Sequence, residues 1–178
     1  AWSKVQARIV SLNQTLDLAS RAWSAASAAI GIFKDGLAQL DDVQDMAEKF
    51  GTSTEEMSRW TNAIKLTDAD VAGFTNSIWF LTRAMESARS GSKETQQAFA
   101  ALGIDIKDKA TGAMKDWQTV MLEAADASKK YGESANLYLS TILGRGVRDM
   151  VPALKLGADR LRELLAETDK YGANVSDK

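Results

Sequence analysis

The chain has 178 residues, 45% of them hydrophobic and 26% charged, with a net charge of -2, one proline, no cysteine and no histidine. That composition suits a globular protein and excludes a disordered one. Without cysteine there is no disulfide scaffold, zinc-thiolate centre or thiol nucleophile, and without histidine the commonest general base near neutral pH is missing. A near-balanced charge gives no global attraction to nucleic acid or anionic lipid.

The chain starts at Ala1 without a methionine and ends in the polar run Asn174 to Lys178, so it reads as an excerpt of a longer protein. The first ten residues are an amphipathic mixture and not a secretion signal. The longest uncharged stretch near the start, Ala22 to Phe33, has 12 residues. A bilayer span takes about 20 apolar residues, so no transmembrane helix is expected in this piece.

Residues 1–40 carry the strongest periodicity. Trp2, Val5, Ile9, Leu12, Leu16, Ala19, Trp23, Ala26, Ile30, Phe33, Leu37 and Leu40 are separated by alternating steps of 3 and 4. In a chain less than half apolar, one frame does this by chance with a probability on the order of 10⁻⁴. Two readings are open: an amphipathic helix lying on its own domain, or a coiled coil. A straight helix drifts by roughly 20° per heptad against a strict 3.5 repeat, and a seam held over five heptads favours a long partner helix wound around it. The helix-helix interface is therefore expected at Trp2, Val5, Ile9, Leu12, Leu16, Trp23, Ile30, Phe33, Leu37 and Leu40, with the chain itself as partner in a homo-oligomer such as a trimer. Ala19 and Ala26 are thin seam residues. The flanking Gln6, Asn13, Ser20 and Ser27 lack the charges that usually select a partner. Gly31 and Gly36 each cost about 1 kcal/mol in a helix interior.

Beyond Leu40 the seam is lost, because Gln44 takes its next position. Residues 41–178 read as a helical domain cut by glycines at 51, 91, 103, 112, 132, 144, 146, 157 and 172, each a helix stop in expectation. Ser53 with Glu56 predicts a capping box before a helix with Met57, Trp60 and Ile64 on one face. Thr67 with Asp70 predicts a second box, before a helix carrying Val71, Phe74, Ile78, Leu81, Met85 and Ala88. Ser92 opens a helix that ends at Leu102-Gly103. Trp117, Val120, Ala124, Ala127 and Tyr131 mark the next. Leu139, Ile142 and Leu143, then Met150, Val151 and Leu154, then Leu161, Leu164 and Leu165 mark three more. Only Ile104-Asp105-Ile106 alternates as a strand would, and three residues do not make a sheet. The predicted class is all-α: a long N-terminal heptad-patterned helix followed by a bundle of short glycine-bounded helices. Its core is expected to include Trp60, Phe74, Ile78, Leu81, Phe99, Leu102, Trp117 and Leu154.

Catalytic and metal signatures fail on inspection. Asp41, Asp42, Asp45 and Glu48 share a helix face, and the reading is a solvated helix start, where acids suit the dipole. Asp68-Ala69-Asp70 opens like a calcium loop, but Ala72 and Trp79 stand where it needs ligands. Gly36-Leu37-Ala38-Gln39 and Glu133-Ser134 are fragments of a peptidoglycan transglycosylase pattern in reversed order, with too long a gap. Gly144-Arg145-Gly146 lacks the rest of a phosphate loop. Arg145, Arg148, Arg160 and Arg162 alternate with Asp149, Asp159 and Glu163, which makes a mixed face with no nucleic-acid stripe. No enzyme activity, cofactor or metal is expected.

The glycine-bounded elements carry a family resemblance. Phe50-Gly51-Thr52-Ser53-Thr54-Glu55-Glu56-Met57 resembles the "G-x-S-x-E-E-L" helix start of bacteriophage tail tape measure proteins. Ala98-Phe99-Ala100-Ala101-Leu102-Gly103-Ile104 is similar to their "A-F-x-x-L-G-I" element. Leu143-Gly144-Arg145-Gly146, with Val151-Pro152-Ala153-Leu154 and Gly157, resembles "F-G-R-x-G-x-x-x-x-P-L-L-x-x-G". Tyr171-Gly172-Ala173-Asn174-Val175-Ser176 fits the closing stretch. Leu143 stands where the family often has Phe, and Ala153 breaks the double leucine. The resemblance spans roughly Leu40 to Ser176, in the family's order. It implies a structural phage-tail component that lies in the growing tube, sets its length and leaves it when DNA is ejected. Tail tube and tail assembly proteins would be its partners. Its place would be the virion tail, and the host cytoplasm during assembly. The competing reading is a helical coiled-coil adaptor or scaffold of cellular origin.

Overall fold

The computed structural model describes residues 40–170, and there the protein is all-α. The predicted seam residues Trp2, Val5, Ile9, Leu12, Leu16, Trp23, Ile30, Phe33 and Leu37 lie outside the described residues, as does the closing Tyr171 to Ser176. Leu40 opens the first described helix, α1 (Leu40–Phe50). Gln44 is exposed in it and donates to Glu48. Val43 and Ala47 are buried: Ala47 keeps the seam's stepping, whereas Val43 takes the buried place that Gln44 leaves.

Gly51 takes φ 64 and turns the chain into α2 (Thr54–Lys65). Ser53 is the N-cap, its hydroxyl accepting from Glu56 N at 3.1 Å. Only half of the expected box forms. The Glu56 carboxylate turns away to accept from Arg59 and from Trp60 Nε1, at 2.6 and 3.1 Å. The second expected box is corrected. Asp70 alone caps α3 (Val71–Arg89), accepting from Gly73 N at 3.0 Å, while the Thr67 hydroxyl closes α2 by donating to Ile64 O at 2.7 Å. Asp68 sits between them at φ 60, a strained geometry for a residue with a Cβ.

α4 (Lys93–Leu102) starts after Ser92 and ends on left-handed Gly103, where Ile104 N reaches back to Phe99 O at 2.9 Å. Among the described residues the strand-like Ile104–Ile106 leads only to one isolated antiparallel bridge, Lys107 with Met114. α5 (Trp117–Tyr131) follows, capped by Asp116. A 3-10 turn (Gly132–Ala135) leads into α6 (Asn136–Leu143). A second 3-10 turn (Gly144–Gly146) leads into α7 (Val147–Leu154), and α8 (Gly157–Lys170) closes the described chain.

α3 is the axis of the bundle, 19 residues and about 28 Å long. It touches α1, α2, α4, α5, α6, α7 and the second 3-10 turn. α8 lies against α2, α5 and α7. All eight core residues expected from the sequence are buried in one cluster. At its centre Trp60, Phe74 and Trp117 meet from three helices, with ring centroids 5.4 to 6.1 Å apart. Aromatic pairs at this spacing add about 0.5–1.5 kcal/mol to what burial already gives.

One expectation about the glycines is corrected. Gly144 stops a helix at positive φ, but Gly146 has φ -62 and is no stop. Gly146 is there for space. A Cβ on it would lie 2.7 Å from Gly73 O and 3.0 Å from Ser77 Oγ. The chain crosses α3 at backbone contact, which only glycine allows.

Candidate docking groove

That crossing also bounds an open surface groove. Gly144 presses its backbone under the Phe80 ring of α3. One turn on, Asp149 sits against Gly73, and its carbonyl accepts from Asp70 N at 3.3 Å. α6 and α7 are thus held apart on the outside of α3, and an open groove of about 620 Å³ remains between them. Phe80 and Val147 give it an apolar floor, and Ser140, Arg145, Arg148 and Asp149 line it. A second hollow of about 390 Å³ shares Ser140, Val147 and Arg148 with the first and continues it to Leu137 and Val151.

The rim is unusually apolar for an exposed surface. Leu137 is 70% exposed and Phe80 38%. Beside Phe80, Trp79 is also exposed and packs edge-on to it at 4.8 Å. Single exposed apolar residues are ordinary, but here Phe80 lines the groove and Leu137 its continuation. The charges around it are basic. Arg145 and Arg148 point into the groove lining, and Lys155 is exposed one turn beyond Val151. The Arg83 guanidinium lies 4.6 Å from the Trp79 ring centroid.

The other residues singled out from the sequence have structural roles. Asp70 is a helix cap. Ser134 donates to Tyr131 O within the first 3-10 turn. Asp42, Asp45 and Glu48 are exposed on α1. Arg160 and Arg162 pair with Glu163, Glu167 and Asp159 on the surface of α8. Among the described residues no three carboxylates converge as a metal site requires, and no helix is long and apolar enough to cross a membrane. Trp79, Phe80 and Leu137 were missed because each lies off the buried stripe of its helix. Their signal was that very displacement: large apolar residues on positions that the 3-4 stepping assigns to solvent.

Comparison with known proteins gives no relative: no family model, no curated protein and no solved structure matches the chain.

Proposed function

We propose that the chain is a segment of a phage tail tape measure protein, a structural component that occupies the tail tube during assembly and sets its length. The order of four glycine-bounded motifs between Phe50 and Ser176 carries this reading. The physical basis is simple: an α-helix rises about 1.5 Å per residue, so a long helical chain turns residue number into distance. The described part would be a folded helical module joined to such a rod. Its partners would be copies of itself, packed through the seam of residues 2–40, together with tail tube and assembly proteins. It would reside in the virion tail, and in the host cytoplasm while tails are built.

What supports the reading on the structural side is the role of the motif residues. Gly51 and Ser53 start α2, and Phe99 and Gly103 end α4. Gly144 and Gly146 make the crossing of α3. They are the residues such a module needs in order to fold, and none forms a reactive constellation. A helical adaptor of cellular origin is the second reading, favoured by the exposed groove on α3, α6 and α7. Tail length separates the two. Duplicating residues 1–40 in frame in the full-length gene should lengthen tails by about 60 Å in electron micrographs. Tails of unchanged length would overturn the ruler assignment.

A further inference from the structure

We propose that the groove between α6 and α7 docks an amphipathic helix of a partner protein, one whose apolar seam is flanked by acidic residues. Two helices resting on a third leave the trough into which another helix packs by ridges and grooves. Its lining includes the apolar Phe80, Val147, Val151 and Leu137, which suit the apolar face of an amphipathic helix. The sign of the charge selects the occupant. The chain as a whole is acidic, at -2, yet Arg145 and Arg148 line this trough, and among the described residues lining it Asp149 is the single acid opposed to them. Elsewhere Arg59, Arg89, Arg160 and Arg162 each face a carboxylate within the fold, and Arg83 lies over the Trp79 ring.

Other occupants match less well. The seam of a second copy is flanked mostly by uncharged residues, and residues 1–40 carry Lys4, Arg8, Arg21 and Lys34 against Asp17 and Asp35. Such a segment brings more positive charge to a basic trough. Nucleic acid would want a free aromatic face for its bases, but Arg83 covers the ring of Trp79 and the floor is aliphatic along most of its length.

The test uses the whole 178-residue chain and two fluorescent peptides with the same leucine seam, one flanked by glutamates and one by lysines. Anisotropy titrations at low salt should show the glutamate peptide binding about tenfold more tightly. Leu137→Ser should weaken binding of both peptides, and its solvent-exposed position leaves the melting temperature unchanged. Arg145→Glu combined with Arg148→Glu should invert the preference in favour of the lysine peptide. The proposal is overturned by equal binding of the two peptides, by no saturable binding of either, or by a preference that survives the charge reversal. It is equally overturned if an oligonucleotide displaces the glutamate peptide, or if Leu137→Ser abolishes a self-association of the chain, which would make the occupant a second copy. None of these outcomes bears on tail length.

Discussion

Gly146 and Gly51 show how differently one residue type is used in a single chain. Gly51 has φ 64 and open space around its Cα, so a side chain there meets only backbone strain. That strain is worth about 1–2 kcal/mol. Gly146 has an ordinary φ, but a Cβ would sit 2.7 Å from Gly73 O, which is backbone and cannot rotate away. We expect Gly146→Ala to cost about 1–3 kcal/mol through forced separation of the 3-10 turn from α3. It should also weaken peptide binding to the groove, whereas Gly51→Ala should cost stability and leave binding intact. Chemical denaturation combined with the anisotropy titration distinguishes these outcomes. Gly146→Ala with unchanged binding would show that the groove does not depend on this crossing. The core offers a simpler check. Phe99 and Trp117 are 3% and 5% exposed, so truncating either to Ala should cost about 3–5 kcal/mol. An unchanged thermal melt would contradict their place in the core.

At the scale of elements, the sequence makes helix ends legible where the terminating group is local, and hides them where it is not. Ser53, Ser92 and Gly103 stand at the boundaries their residue types predict. The start of α8 is different. Ala158 N donates to Asp126 Oδ1 at 2.7 Å, a carboxylate 32 residues earlier on α5. No local pattern reveals that partner. The same distance rule explains the groove: its residues come from α3, α6, the second 3-10 turn and α7, and the glycine crossing brings them together. We expect Asp126→Ala to cost about 1 kcal/mol, the usual worth of a cap, with fraying confined to the first turn of α8 in amide exchange. A uniform loss of protection across the bundle would contradict a local cap.

The segment between α4 and α5 is held in a comparable way, and there pH is the probe. Lys115 N donates to Ile106 O at 3.0 Å, and at the tip Asp108 accepts from Thr111 N, Thr111 Oγ1 and Ala110 N at 2.8 to 3.0 Å. The Thr111 amide, and then its hydroxyl, hold the Asp108 carboxyl below its ordinary value of 3.8. A depressed folded value means that the contribution is present above 3.8 and is lost as pH falls through the lower folded value. The Thr111 amide resonance should therefore titrate with a midpoint below 3.8. A midpoint at or above 3.8 would show that these bonds do not persist in solution.

For the whole molecule the decisive question is how residues 2–40 cover their apolar stripe. As a continuous helix those 39 residues would be about 58 Å long, twice the length of α3 and longer than a bundle of this size needs. Exposed along one side, Trp2, Ile9, Leu16, Trp23 and Ile30 would form a patch that soluble monomers rarely carry. Gln44 interrupts this stripe where the bundle begins, and in α1 Val43 and Ala47 are already buried in the bundle's core. A seam far longer than the bundle it leads into is best covered by equivalent seams of other copies, which suits a rod inside a rotationally symmetric tube. We expect the full chain to be a parallel oligomer in light scattering, and a version starting at Asp41 to be a folded monomer with its thermal transition retained. If both are monomeric at high concentration, the seam is covered within its own chain. If both associate equally, the contact belongs to the groove or another face of the bundle. In either case self-association through residues 2–40 would be ruled out.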